Sequence, residues 1–142
     1  MPSAAEIEYR IIREESEAAI VRLYRDAGWW KEEDSPSFIP AMIAGSTVFV
    51  GAYDDGRLVG MGRAISDGVS DGCIRDVIVD RAYRRCGIGA SIVRLVAAEL
   101  RRRGVDWIQL IGVPGTREFY ESLGFRVMEN HLPMLLAVPS ES

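Results

Sequence analysis

The chain has 142 residues, 48% of them hydrophobic and 27% charged, with a formal net charge of −4 at pH 7. That length and balance describe one globular domain able to bury a core, and the acidic balance argues against nucleic acid as its main partner. No run of about 18 apolar residues occurs, so neither a membrane span nor a membrane partner is expected.

The opening stretch from Met1 to Glu6 lacks a basic region followed by an apolar one. No signal peptide is expected there, and a cytoplasmic location is. Two cysteines, Cys73 and Cys86, and the single histidine, His131, make neither a disulfide framework nor a metal-ligand cluster, so no metal is expected. His131 is expected to be structural or on the surface.

In chain order, Glu8 to Arg13 predicts a first strand. Ser16 is placed to cap a helix whose Ile20, Leu23, Tyr24 and Ala27 share a face, with Gly28 just past its end. Trp29-Trp30 opens a loop carrying Lys31-Glu32-Glu33-Asp34, and a second helix is predicted from about Ser37, through Pro40, to Gly45. Thr47 to Tyr53 and Leu58 to Ser66 read as strands joined by the turn Asp54-Asp55-Gly56-Arg57. Gly60 and Gly62 mark a close backbone approach.

Cys73 to Val79 is the next strand. Gly87 to Arg103 is the clearest helix: Ile88, Ile92, Leu95, Val96 and Leu100 lie along one face, and Arg101-Arg102-Arg103 suits the negative helix end. Val105 to Ile111 predicts a strand, Thr116 to Leu123 a short helix, and Phe125 to Met128 with Leu132 to Val138 a closing strand pair. The order β-α-α-β-β-β-α-β-α-β-β predicts an α/β fold, a mixed sheet with helices on both faces, in a single domain over residues 1–142.

The chemistry gathers where the strand ending at Val79 gives way to the long helix. Arg84-Arg85-Cys86-Gly87-Ile88-Gly89-Ala90 brings free backbone N–H groups, the positive helix end and two arginines to one point, which suits a phosphate or pyrophosphate. A P-loop needs Gly-x-x-x-x-Gly-Lys-[Ser/Thr], which is absent. A dinucleotide fingerprint needs a third glycine or alanine where Ile92 stands, and an opening βαβ unit that this chain lacks.

Arg84-x-x-Gly87-x-Gly89 after a Val-x-Val strand resembles the pyrophosphate motif of the GNAT superfamily of acyl-CoA-dependent N-acyltransferases. Phe119-Tyr120-Glu121-Ser122-Leu123-Gly124-Phe125 is similar to that superfamily's second signature, in the right order and one strand later. Gly62-Arg63-x-x-x-Asp67-Gly68 followed by Asp76-Val77-x-Val79 is similar to a subgroup of small bacterial members. The resemblance implies a mostly antiparallel mixed sheet splayed between its fourth and fifth strands. It also implies acetyl-CoA as acyl donor and an amine as acceptor, either a small molecule or a protein or peptide amine, and homodimers are common in the superfamily.

Carried over residue by residue, the resemblance implies that backbone N–H groups from Arg85 through Cys86, Gly87, Ile88 and Gly89 to Ala90 cradle the CoA pyrophosphate, with charge from Arg84 and Arg85. Val77 N–H would polarise the thioester carbonyl, and Val79 would pair with the pantetheine. Tyr120 takes the place of a general acid for the departing thiolate, with Phe119 packing beside it or walling the CoA groove. Asp76 is a candidate base, the alternative being an ion pair with Arg63; Glu32, Glu33 and Asp34 are further candidates, or a solvated loop. Trp29, Trp30 and Phe38 fall where an acceptor wall is expected, Arg63 is grouped with them, and core packing is the alternative for the tryptophans.

Three positions depart from the superfamily pattern. Cys86 replaces a usual basic residue, Cys73 a glutamate that some members use as base, and Val113 an asparagine that many members place seven residues before the tyrosine. The first two motivate a rival reading, a non-catalytic acyl-CoA-binding or regulatory module.

Overall fold

The computed structural model describes residues 6–139. Met1 to Ala5, most of the stretch from which no signal peptide is expected, lie outside the described residues, as do residues 140–142. The chain divides after Leu110 into two compact units.

The first unit is a five-stranded sheet in the order β1-β2-β3-β4-β5. Its strands are β1 (Ile7–Ile11), β2 (Val48–Asp54), β3 (Arg57–Ser66), β4 (Asp71–Val79) and β5 (Trp107–Leu110). The first four pair antiparallel, and β4 and β5 pair parallel. Asp55 and Gly56 both take positive φ in the β2–β3 hairpin, as a tight two-residue turn requires.

Helix α1 (Glu17–Asp26) starts at Ser16, whose hydroxyl accepts the Ala19 N–H. A 3-10 turn over Pro36–Phe38 leads into α2 (Ile39–Gly45). The two helices bury Ile20, Leu23, Tyr24, Ile39 and Ile43 against Phe49, Tyr53, Leu58, Met61 and Ile78 of one sheet face. Helix α3 (Ile88–Arg102) covers the other face. There Gly60, Gly62 and Gly72 let it approach closely: a Cβ built on Gly62 would lie 2.5 Å from Ile92 Cγ2. The glycines at 60 and 62 therefore do what the sequence suggests. On α3, Leu95 is exposed and Val93 takes the buried place predicted for it. The buried residues Ile88, Ile92, Val96 and Leu100 step by four, and that step carries Val93 toward the sheet and Leu95 away from it.

Between β4 and β5 the sheet opens. The parallel pairing runs only from Asp71–Trp107 to Ile74–Leu110, after which β4 continues without β5. This is the splay that the resemblance implies. On the β3 side, Met61 faces Ile78 and Arg63 faces Arg75, so Asp76 and Val77 together oppose Gly62 in a β-bulge.

The second unit, from Ile111, holds α4 (Arg117–Ser122) followed by turns and irregular backbone. The predicted closing strands Phe125 to Met128 and Leu132 to Val138 do not form among the described residues. Their β-branched and apolar residues favour extended backbone, but a strand exists only through a ladder, and Pro133 removes one donor from the second stretch. Among the described residues no helix is long and apolar enough to cross a membrane.

Candidate functional site

The link from β4 to α3 is built from backbone that few residues adopt. Arg85 has φ +64° and Gly87, the helix N-cap, φ +79°. Two left-handed residues so close together turn the chain sharply into the start of α3. The first α3 bond runs from Ser91 N–H to Gly87 C=O, so the N–H groups of Ile88, Gly89 and Ala90 have no helical acceptor. A Cβ built on Gly87 would meet nothing within 4 Å, so the mouth of the turn is open. These donors, the helix dipole and two flanking arginines fit a diphosphate, and hence the pyrophosphate of CoA.

The arginines differ. Arg84 Nε donates to the Val79 carbonyl at 3.1 Å and its Nη2 lies 3.8 Å from Asp26. Arg85 is exposed and makes no hydrogen bond or ion pair among the described residues, which leaves its guanidinium available to an anion. Cys86 is half-buried, with its Sγ 3.6 Å from the Arg84 carbonyl. Ile88 is fully buried and anchors the first turn of α3 in the core.

Val77 sits in the bulge with no register partner on β3, and the β5 pairing ends three residues earlier, at Ile74. Val79 pairs with Gly60 on one side only. The opened edge of β4 therefore carries backbone groups free of a neighbouring strand, as an extended ligand running alongside requires.

Asp76 takes φ +54° at the bulge. The extra residue turns its side chain toward α1 and α2, where Oδ2 accepts Arg63 Nε at 2.8 Å and the Tyr24 hydroxyl at 3.0 Å. Arg63 Nη1 also reaches Ser46 Oγ at 3.4 Å. Oδ1 accepts nothing among the described residues. Burial, and next the Asp76 charge, push the Tyr24 phenol well above its ordinary value, so Tyr24 stays a donor.

Tyr24 also stacks on Trp30 with centroids 6.2 Å apart, and Trp30 stacks on Phe38 at the same spacing. Of the two tryptophans, Trp30 packs inward and Trp29 faces solvent. The structure thus brings Arg63, Asp76 and Trp30 together. Glu32, Glu33 and Asp34 are exposed, and Asp34 closes its own turn by accepting the Lys31 N–H at 2.8 Å.

In the second unit, Tyr120 is half-buried between Phe119 and Phe125, its ring edge-on to both at 4.9 and 5.8 Å. Its hydroxyl has no hydrogen-bond partner among the described residues. Burial raises the phenol above its ordinary value. His131 is exposed and bonds the Glu129 carbonyl through Nδ1.

Sequence reasoning missed Tyr24 as a polar partner, since its place on the apolar face of α1 reads as core. It also missed Arg22 and Asp80, which pair at 2.5 Å. One signal existed: Asp26 is an acid in the last turn of a helix, against the dipole, a place that calls for a compensating partner.

Among curated relatives, residues of this chain are 36% identical over 69 positions to GCN5-related N-acetyltransferase 1, chloroplastic, of Arabidopsis thaliana. They are 37% identical over 70 positions to serotonin N-acetyltransferase 2, chloroplastic, of rice. Each match takes in 49% of this chain and 35% of the relative, so the chain aligns with about a third of the length of these proteins. Among solved structures, a Staphylococcus aureus protein of unknown function superposes with a TM-score of 0.81 at 21% identity, covering 93% of this chain and 99% of the other. A GNAT family acetyltransferase from Streptococcus pneumoniae superposes with 0.78 at 24% identity, covering 94% and 98%. These two likenesses establish the fold. A family model for the acetyltransferase (GNAT) family matches residues 9–125, which spans the opened sheet, the turn and the Tyr120 helix, and the chain belongs to that family.

Proposed function

We propose that the protein is an acetyl-CoA-dependent N-acetyltransferase that passes an acetyl group to a primary amine by direct attack in a ternary complex. The observation that carries the reading is the turn at Arg85 and Gly87, which presents three unsatisfied N–H groups beside the opened edge of β4. Bound acetyl-CoA would supply the activated thioester.

In this reading the N–H groups of Ile88, Gly89 and Ala90, with Arg85, hold the pyrophosphate. Val79 pairs with the pantetheine arm. Val77 N–H donates to the thioester oxygen, where charge gathers as the amine attacks, a place where a fixed donor in a dry site is most effective. The C–N bond forms as the C–S bond breaks. Asp76 Oδ1 takes the proton that leaves the amine, while Oδ2 stays with Arg63 and Tyr24. The Tyr120 hydroxyl, the general acid of the family signature, gives its proton to the departing sulfur; a phenol is protonated at neutral pH, and burial raises this one further. Trp30, with Phe38 and Trp29 nearer solvent, supplies an apolar wall for the acceptor. An amine acceptor accords with the rice relative, named for serotonin, and with the shared fold of a glucosamine-6-phosphate N-acetyltransferase from Arabidopsis thaliana.

The test is thiol release from acetyl-CoA over a panel of primary amines. Release with at least one amine supports the reading. Tight CoA binding without release across the panel supports the rival, an acyl-CoA-binding module, which the cysteines at positions 73 and 86 favour.

A further inference from the structure

Helix α1 carries two charges of opposite sign one turn apart, and both reach the same short segment. Arg22 Nη1 donates to Asp80 Oδ2 at 2.5 Å, and its Nη2 donates to the Leu58 carbonyl. Asp26, four residues on, accepts the Arg81 N–H at 2.5 Å; its carboxylate lies 3.6 Å from Arg81 Nε and 3.8 Å from Arg84 Nη2. The segment answers in kind. Asp80 is buried, caps the turn over residues 81–83 by accepting the Ala82 N–H at 2.9 Å, and bonds Val59 through its own N–H. Residues 80–84 are therefore gripped by an arginine-to-aspartate contact at one end and an aspartate-to-arginine contact at the other. The residue that follows is Arg85, where the left-handed turn begins.

We infer that Arg22 and Asp26 are positioning residues for the cofactor turn: they fix residues 80–84, and so the aim of the N–H groups of Ile88, Gly89 and Ala90. This rests on the acetyl-CoA reading above. Neither residue touches residues 85–90; Asp26 reaches only as far as Arg84, which flanks the turn. A surface ion pair alone contributes little, but the Arg22 guanidinium donates to two acceptors, Asp80 and the Leu58 carbonyl, the Asp80 side chain is only 10% exposed, and Asp26 binds a backbone N–H as well as two guanidinium groups. Such contacts organise a binding loop before the ligand arrives, and preorganisation appears as affinity. The acid at the end of α1, unfavourable to its own helix, is explained by this task.

The test is calorimetric titration of CoA into wild type, Arg22→Met, Arg22→Lys and Asp26→Asn, with steady-state kinetics alongside. The expected result is CoA binding by wild type and a dissociation constant raised about tenfold in Arg22→Met and in Asp26→Asn. The KM for acetyl-CoA rises in parallel, while kcat at saturating acetyl-CoA and the KM for the amine hold. Arg22→Lys recovers only part of the affinity, because one ammonium cannot serve Asp80 and Leu58 in the fork geometry. Asp26→Asn is nearly isosteric on a part-exposed side chain, so it tests the inference even if Arg22→Met does not fold. Equal or tighter CoA binding by a folded Asp26→Asn overturns the inference and leaves the parent reading standing. Absence of CoA binding by wild type overturns both.

Discussion

Arg63 and Asp76 are bonded at 2.8 Å although they are not register partners: Arg63 faces Arg75, and Asp76 is the extra residue of the bulge. The contact exists because a positive φ at Asp76 turns the carboxylate off the α3 side of the sheet. Both side chains are mostly buried, at 13% and 17% exposure. Replacing Arg63 by Met leaves the carboxylate with Tyr24 alone, and urea unfolding at pH 7 is expected to show a loss of about 3 kcal/mol. Arg63→Lys loses less.

Asp76→Asn separates structure from chemistry. The amide oxygen still accepts from Arg63 and Tyr24, so the stability loss is smaller than for Arg63→Met. Turnover falls about a hundredfold, since no carboxylate oxygen is left to take the amine proton. Full turnover in a folded Asp76→Asn assigns the residue to the ion pair alone.

Tyr120→Phe keeps the edge-on ring contacts with Phe119 and Phe125 and removes the proton. Its kcat is expected to drop at least about tenfold with CoA affinity unchanged. Because burial raises the phenol and the protonated form is the active one, the alkaline limb due to Tyr120 lies above pH 10. A kcat profile that falls below that pH in wild type and not in Tyr120→Phe contradicts the sign.

Gly62 tests the packing of α3. A Cβ there collides with buried Ile92, so Gly62→Ala is expected to cost about 1–3 kcal/mol in urea unfolding. The colliding atom is Ile92 Cγ2, which valine would keep, so the pair is tested with Ile92→Ala: its cost is expected to be smaller in the Gly62→Ala background than in wild type.

How much was legible depended on how local each feature is. The hairpin at Asp55-Gly56 and the turn at Gly87 are written in residues that tolerate positive φ, and both stand where expected. The bulge is not: aspartate tolerates positive φ, but one aspartate inside a strand-forming run does not announce a bulge, and strict alternation puts the Asp76 side chain with Ile74, on the wrong face. Trp29 and Trp30 are alike in sequence, and only the stack on Tyr24 and Phe38 separates them. The stretch from Phe125 to Val138 shows the same limit in reverse, since strand-forming residues cannot supply their own ladder.

Glu99 offers a pH test. Hydrogen bonds from Arg102 and then Arg103 hold its carboxyl down to about 2. A depressed carboxylate adds stability above its unfolded value, near 4.5, and loses it as pH falls through the folded value. Glu99→Gln is therefore less stable than wild type at pH 7, and the two unfolding curves converge between about pH 4.5 and 2.

The most direct test of the central claim is a calorimetric titration of CoA into wild type and Gly87→Val. A β-branched residue at φ +79° strains the turn and points its side chain into the open mouth. Wild type is expected to bind CoA saturably at one to one, and a folded Gly87→Val at least about tenfold more weakly. Equal affinity in the two proteins, or no heat of binding with wild type, contradicts the claim.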